Sequence, residues 1–472
     1  MLKKALFVIS GNAAGSLLLL VRNLVVARLV SPDDYGIAST FAIGMSIVEM
    51  LSYLGLQQLI IVERDGDEPH VQAAMQGFQV LRGLLSAILM YLIAYPYAAF
   101  LGIPQVTWAF EILALLPLIN ALQHFDTHRL RRHMIFGPSV LSSSVPALAS
   151  VLTLWPLALL FHDYRIMLVS LFIQAGTMVL LSHITARRPY QLALDPALMK
   201  RAVRFGWPLL ANGLLLFAIF NGEKLIVGRE LGMVQLAYFG MAFTLTLTPT
   251  LVLANSIQSI FLPQLSRVRD DDAGFQRIGV ATMEASLSVA LALVMATALV
   301  GGPVVALLVG PKYYETLTIL VPLAVMQGAR VLKSGAAVIG LAKSHPGNAM
   351  IANLIRVGSL PIAWAVVHYT GDLFTVIWIG TAAELAGYAV ALYLVRRKAG
   401  LRLRPLAVPI LLTAAAGAAA TVVAMLWPPQ VRLADNAHWA QLAIVLPGLA
   451  AFWSMTSLRR YIRQVLARRR AR

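Results

Sequence analysis

The sequence predicts an all-α, polytopic membrane protein with about 14 transmembrane helices, and three observations lead to this fold class. Of its 472 residues, 59% are hydrophobic and only 12% are charged, whereas about a quarter of the residues in a soluble domain are charged. Apolar runs of about 20 residues, enough to cross a bilayer, recur along the whole chain. Lysine and arginine concentrate in every second gap between these runs, as they do in the cytoplasmic loops of membrane proteins.

The apolar runs fall into two sets of six, followed by two more. The first set predicts an N-terminal lobe over 1–186; its spans 1 to 6 are 5–29, 36–62, 72–95, 106–126, 138–161 and 164–186. Residues 187–204 are polar and basic and predict a cytoplasmic linker. The second set predicts a C-terminal lobe over 205–395; its spans 7 to 12 are 205–228, 234–262, 280–303, 316–341, 346–369 and 371–395. Residues 396–472 hold spans 13 and 14, at 405–427 and 438–457, and a basic tail.

The first span begins with the basic segment MLKK and continues without a convincing cleavage site, so we interpret it as an uncleaved helix. The positions of the basic residues predict that both termini are cytoplasmic. In that orientation the cytoplasmic segments contain 27 lysines and arginines and the outer loops contain five, as the positive-inside rule requires.

The net charge of +17 is explained by this topology and by contact with anionic membrane lipid. Nucleic-acid binding is therefore not predicted. The chain has no cysteine, which excludes disulfides, thiol catalysis and cysteine metal ligands.

A short sequence at the end of span 1, called here the repeated phrase, recurs in similar form at the end of span 7. LVVAR at 24–28 aligns with LIVGR at 225–229, and Tyr35-Gly36 then matches Tyr238 and Gly240 after a short gap. Because six spans separate the copies, the two halves enter the membrane in the same direction. The sequence therefore predicts a parallel repeat of two six-helix lobes around a central cavity, a plan found among transporters.

Four stretches carry a resemblance to a known family. They are ARLVSPDDYG at 27–36, GLQQLIIVER at 55–64, RFGWPLL at 204–210 and FLPQLSRVRDD at 261–271. In order and spacing they resemble the polysaccharide transporter branch of the multidrug/oligosaccharidyl-lipid/polysaccharide exporter superfamily, the flippases of O-antigen and exopolysaccharide repeat units. The resemblance covers most of residues 1–400.

This resemblance implies a cationic central cavity and a transport function without enzymatic chemistry. The cargo would be a polyprenyl-pyrophosphate-linked oligosaccharide, moved by alternating access from the cytoplasmic to the outer leaflet of the plasma (inner) membrane. It implies no cofactor other than Na⁺ or H⁺ as a coupling ion, and polysaccharide polymerase machinery as a further partner. The alternative is a multidrug or cation antiporter of the same superfamily, which would prefer acidic cavity residues. A membrane glycosyltransferase is not predicted, because every outer loop is short.

Ionisable residues inside the spans are the candidate site residues. Those near mid-depth are Glu49, Arg82, Arg330, Lys333, Arg356 and Glu384, and Arg22 lies in the outer half of span 1. A charged side chain at the centre of a membrane helix costs about 2.5–3.5 kcal/mol on insertion scales, so these residues are predicted to face the protein interior. Arg330 and Lys333 are three residues apart and share a helix face, which requires an anion opposite them.

We predict that the cations form a binding wall for the pyrophosphate group of the cargo, because Arg forks and Lys point charges suit its oxygens. The wall comprises Arg22, Arg82, Arg330, Lys333, Arg356 and, near the outer end of span 7, Lys224. Glu49 and Glu384 would either bind a coupling ion or form salt bridges with these cations, and the sequence leaves both roles open. His124 and His128 are four residues apart, but the neighbouring arginines argue against a metal site. The chain has no GxxxxGK[ST] stretch, so built-in ATP hydrolysis is not predicted.

Overall fold

The computed structural model describes residues 2–52, 54–345, 347–432 and 438–470, and these residues form helices and no β-strand. The chain divides into two compact units, Met1–Ala237 and Tyr238–Arg472. Among the described residues, nine helices are long and apolar enough to cross a membrane, and a bent pair of helices would make a tenth span. The all-α membrane fold is confirmed, whereas the number 14 and the predicted lobe boundaries stay predictions.

The first unit holds ten complete helices and the first part of an eleventh. They are α1 (Leu2–Leu29), α2 (Pro32–Ser52), α3 (Leu56–Val62), α4 (Pro69–Phe100), α5 (Thr107–Leu113), α6 (Leu115–Ala121), α7 (Asp126–Arg132), α8 (Gly137–Leu152), α9 (Leu154–Leu160) and α10 (Arg165–Ile184). A short 3₁₀ turn, Pro104–Val106, precedes α5. Predicted spans 2, 4 and 5 are therefore each made of more than one helix.

The SPDDYG segment of the repeated phrase starts α2. The Ser31 hydroxyl oxygen accepts a hydrogen bond from the Asp34 backbone N–H (3.1 Å), and Pro32 is the first helical residue. Asp33 and Asp34 lie in the first turn, where negative charge interacts favourably with the helix dipole.

The helix α11 (Pro196–Arg267) consists of two helices that meet at Gly232. Gly232 has φ 85°, a backbone conformation that glycine adopts without steric cost, so predicted spans 7 and 8 join at a single residue. Residues 196–204 of the predicted linker are helical, because Asp195 accepts hydrogen bonds from the backbone N–H groups of Ala197 and Leu198 (2.9 and 3.2 Å) and so caps the helix.

The second unit contains the rest of α11 and seven further helices. They are α12 (Asp272–Leu308), α13 (Thr316–Ala342), α14 (Gly347–Thr370), α15 (Leu373–Ala399), α16 (Ala407–Leu426), α17 (His438–Ser454) and α18 (Thr456–Arg470). Short 3₁₀ turns, Pro311–Tyr313 and Arg404–Leu406, precede α13 and α16. The buried carboxylate of Glu284 on α12 accepts a hydrogen bond from the Leu458 N–H (2.6 Å), which attaches the basic helix α18 to the core of this unit.

Candidate functional site

The first unit contains a cavity of about 670 Å³ inside its helical bundle. Residues of α1, α2, α3, α4, α6 and α10 line it, together with the connection between α6 and α7. The polar and charged side chains of the lining are Arg22, Ser46, Glu49, Gln57, Gln79, Arg82, Ser86, Asn120, Gln123 and Gln174. Two arginines and one carboxylate therefore give this described lining an excess of positive charge.

Arg22 enters the cavity from α1 and is held by α10. Its side chain is largely buried, with 8% of the residue exposed. Its Nη1 group donates a hydrogen bond to Oε1 of Gln174. A neutral carboxamide thus orients the guanidinium group without cancelling its charge.

Glu49 of α2 and Arg82 of α4 also face the cavity. The two side chains interact electrostatically, and Glu49 is exposed to the cavity volume. Two of the predicted cations and one predicted carboxylate therefore line the same cavity. They lie up to 60 residues apart in the sequence.

The second unit contains a cluster of buried charges, in which three cations contact one carboxylate. Glu384 of α15 is fully buried. Its Oε1 accepts hydrogen bonds from Nε of Arg330 (3.0 Å) and Nε of Arg356 (3.1 Å). Nζ of Lys333 lies 2.5 Å from its Oε2. Helices α13, α14 and α15 thus each contribute to the cluster.

Neutral groups also contact these cations. Nζ of Lys333 donates to Oδ1 of Asn353 (3.2 Å), and Nη1 of Arg356 donates to the Ser359 hydroxyl (3.3 Å). The guanidinium carbon of Arg330 lies 6.0 Å from the centre of the Phe243 ring, within the range of a cation–π contact.

The charged side chains of this cluster are buried. They are 11%, 10%, 2% and 0% exposed for Arg330, Lys333, Arg356 and Glu384. Buried charges are costly unless an opposite charge compensates them, so the three cations depend on the carboxylate of Glu384.

The remaining predicted cation, Lys224, lies on α11 next to buried Glu223 and is half-buried. It is not among the described residues that line the cavity of the first unit. Of the eight predicted residues, three line that cavity and four form the cluster of the second unit.

Another group of charges lies where α7 meets the turn between α3 and α4. Asp67 Oδ1 lies 2.6 Å from Nε2 of His133 and 3.3 Å from Nη1 of Arg129. The hydrogen bond with His133, assisted by Arg129, holds the pKa of Asp67 below its usual value. These contacts attach α7 to the turn. The described residues contain no group of three or more His, Cys, Asp or Glu placed to hold a metal ion.

Sequence reasoning missed the carboxamides of the cavity. Gln57, Asn120, Gln123 and Gln174 are uncharged, so they carry a smaller insertion cost than the arginines and stand out less in a hydropathy pattern. Gln174 was nevertheless detectable, because it is a strongly polar side chain in the middle of an otherwise apolar span.

Comparison with known proteins identifies the family. A family model described as "Polysaccharide biosynthesis protein" matches residues 25–318, which is more than half of the chain. The chain belongs to this family. The match to the family includes Glu49, Arg82 and the cavity-lining carboxamides, and it ends before the charge cluster on α13, α14 and α15.

A curated relative and two solved structures extend this result. The "Succinoglycan biosynthesis transport protein ExoT" of Rhizobium meliloti is 23% identical over 256 residues, which are 52% of this chain and 50% of that protein. The chain thus matches about half the length of this relative. The lipid II flippase MurJ, in an inward closed conformation, has a TM-score of 0.68 at 14% identity, covering 97% of this chain and 100% of that one. An inward-facing multidrug resistance MATE family transporter of the MOP superfamily has a TM-score of 0.60 at 13% identity, covering 82% and 95%.

At these identities the likeness to the solved structures shows the fold alone. The fold resembles that of the MATE family transporter and of the lipid II flippase, and the resemblance carried by the four sequence stretches to a polysaccharide transporter family is confirmed. The similar proteins are transporters and flippases rather than enzymes.

Proposed function

We propose that the protein is a flippase that moves a polyprenyl-pyrophosphate-linked oligosaccharide repeat unit from the cytoplasmic to the outer leaflet of the plasma (inner) membrane by alternating access. Membership of a polysaccharide biosynthesis family supports a glycan cargo. The transport protein ExoT and the lipid II flippase MurJ support a lipid-linked one. Both termini would lie in the cytoplasm, and the basic helix α18 would contact anionic membrane lipid.

The observation that carries this proposal is the positive polar cavity of the first unit. Arg22, Arg82 and one carboxylate, Glu49, line it, so its described lining attracts an anion. Arginine presents several N–H donors in a planar fork that matches phosphate oxygens. The lining also offers hydroxyl and carboxamide groups, which suit a glycan better than they suit an apolar drug.

The cluster around Glu384 supplies a second cationic region. Arg330, Lys333 and Arg356 already hold fixed positions around one carboxylate, so an incoming diphosphate would meet oriented donors. Such pre-organisation lowers the entropic cost of binding. In this proposal Glu384 is a salt-bridge partner, whereas Glu49, exposed beside Arg82, is the candidate for binding H⁺ or Na⁺.

A multidrug or cation antiporter is the alternative, and the fold shared with a MATE family transporter supports it. The charge argues against it. A site for cationic cargo would need an excess of carboxylates, whereas the described lining of the first unit's cavity holds two arginines and one carboxylate.

The proposal is tested by reconstitution into liposomes that contain a short-chain polyprenyl-diphosphate-linked oligosaccharide. A membrane-impermeant glycosidase added outside measures how fast the internal glycan becomes accessible. Wild-type protein should increase this rate, and the variant Arg22→Gln/Arg82→Gln should reduce the increase at least tenfold. The control is Arg165→Gln, because Arg165 is an exposed residue paired with Asp163 at the start of α10.

Two results would contradict the proposal. If wild-type protein leaves the glycan protected, the flippase assignment is wrong. If the double arginine variant works at the wild-type rate, the cavity is not the binding site. Thermal unfolding of each purified variant ensures that only folded protein is compared.

A further inference from the structure

We propose that the carboxamide side chains of Gln57, Asn120 and Gln123 form a subsite that binds sugar hydroxyl groups of the cargo. This inference rests on the proposed function and deepens it. The arginines would bind the diphosphate, and these three side chains would recognise the glycan attached to it.

The subsite lies at an interruption of a membrane span. Within predicted span 4 (106–126), helix α6 ends at Ala121, and α7 starts at Asp126 with a bend of 45°. Irregular backbone at membrane depth is tolerated only where it is buried in protein or lines a wet cavity, and interrupted helices form the binding sites of many transporters. Asn120 and Gln123 lie at this interruption, and both line the cavity.

Two buried glutamines of α4 hold the interruption in place. Nε2 of Gln79 donates to the carbonyl oxygens of Ala121 (2.9 Å) and Gln123 (3.2 Å). Gln76 donates to the same Gln123 carbonyl (3.2 Å) and accepts from the Phe125 N–H (2.7 Å). Side chains thus replace the missing helical hydrogen bonds, and the side chains at this turn are positioned before any ligand arrives.

The hydrogen-bonding groups of the three carboxamides are available to a ligand. Among the described residues, the side chains of Gln57, Asn120 and Gln123 have no hydrogen-bond partner, and all three are half-buried in the cavity wall. They differ in this from Gln79 and Gln174, which are engaged by the protein.

The chemistry of these groups matches a sugar. Each carboxamide offers an acceptor oxygen and two N–H donors, and a sugar hydroxyl both donates and accepts. None of the described lining residues is aromatic, so hydrogen bonding, rather than stacking on a ring, would recognise a sugar at this wall.

The subsite also lies beside a cation. Arg82 precedes Gly83, and a Cβ atom placed on Gly83 would be 2.2 Å from the Cβ atom of Ala121. Helices α4 and α6 therefore approach closely at the residue next to Asn120. In a lipid-linked glycan the first sugar is bonded directly to the diphosphate, so adjacent cationic and carboxamide groups fit adjacent parts of one molecule.

The test compares binding of two probes to the purified full-length protein: farnesyl diphosphate, and farnesyl diphosphate carrying glucose or galactose. Wild-type protein should bind the glycosylated probes at least tenfold more tightly, because several hydrogen bonds are added. The variant Gln57→Met/Asn120→Leu/Gln123→Met keeps the side-chain volumes and removes the hydrogen-bonding groups. It should lose this preference and keep its affinity for farnesyl diphosphate. The control is Gln58→Met, at the exposed neighbour of Gln57.

The outcomes separate this inference from the proposed function. If the triple variant keeps the preference for the glycosylated probes, or if wild-type protein has none, the subsite is refuted while diphosphate binding stands. If wild-type protein binds neither kind of probe, the proposed function fails and the subsite fails with it.

Discussion

Arg22 of α1 donates a hydrogen bond to Gln174 of α10, 152 residues further along the chain. The contact joins the first and last complete helices of the first unit across the cavity wall. It gives Gln174 a positioning role, since the carboxamide fixes the direction of the guanidinium group that would meet the cargo.

Gln174→Leu should weaken binding of farnesyl diphosphate several-fold. A hydrogen bond to a charged group contributes about 1.5–3 kcal/mol. Part of this free energy is regained in the variant, because water can accept a hydrogen bond from Arg22. Gln174→Glu should weaken binding of farnesyl diphosphate at least as much, because the new carboxylate keeps the hydrogen bond but neutralises the positive charge of Arg22. Titration of each purified protein with farnesyl diphosphate measures its affinity. Gln105→Leu, at an exposed glutamine, is the control, and equal affinities for all four proteins would contradict the positioning role.

Glu384→Gln should strongly destabilise the protein. The substitution leaves Arg330, Lys333 and Arg356 buried around a neutral group, and removing one partner of a buried ion pair costs about 3–5 kcal/mol. The midpoint of thermal unfolding in detergent checks this. Glu315→Gln, at an exposed carboxylate before α13, should change the midpoint little. A Glu384→Gln midpoint close to that control would mean that the cluster is hydrated and not held by Glu384.

Gly36→Ala should destabilise the protein while Gly240→Ala should not, although the two glycines match in the internal repeat. A Cβ atom at Gly36 would lie 2.0 Å from the carbonyl oxygen of Met233, which is backbone and cannot rotate away. At Gly240 nothing lies within 4 Å, and alanine favours the helix by up to about 1 kcal/mol. The midpoints of thermal unfolding of the two variants test this difference. A similar decrease of the midpoint in both variants would contradict the close contact at Gly36.

Asp67→Asn should lower the unfolding midpoint at pH 7, and this effect should diminish in acid. The pKa of Asp67 is depressed in the folded protein by His133, so its contribution is fully present above the unfolded pKa, about 3.9, and is lost as the pH falls through the folded value. The difference between the midpoints of wild type and variant should therefore shrink as the pH falls below about 4. Asp65→Asn, in the same turn, is the control. A difference that does not shrink between pH 7 and pH 3 would show that the contact does not depend on ionisation.

Much of the fold could be predicted because the bilayer imposes a strong pattern on the sequence. Each predicted span coincides with one or more helices, and the start of α2 follows from SPDD. The interruption after Ala121 lies inside predicted span 4, because polar residues such as Gln123 and His124 do not by themselves specify where a helix bends. Its hydrogen bonds come from Gln76 and Gln79, about 45 residues earlier in the chain.

The candidate site was predictable in its charges but not in its grouping. The insertion cost of charged side chains identified Arg22, Glu49 and Arg82 as inward-facing. That Arg330, Lys333 and Arg356 share Glu384 depends on how α13, α14 and α15 are rotated against each other. Packing sets this rotation, and a single sequence does not encode it in any local pattern.

The grouping of three cations around Glu384 also has a genetic consequence. A cell that relies on a Glu384→Gln allele could regain function through a second mutation that deletes one of these cations, since this removes a buried positive charge that has lost its carboxylate partner. Suppressors of that allele should therefore map to Arg330, Lys333 or Arg356, and their spectrum would show which cation the transport cycle can lose.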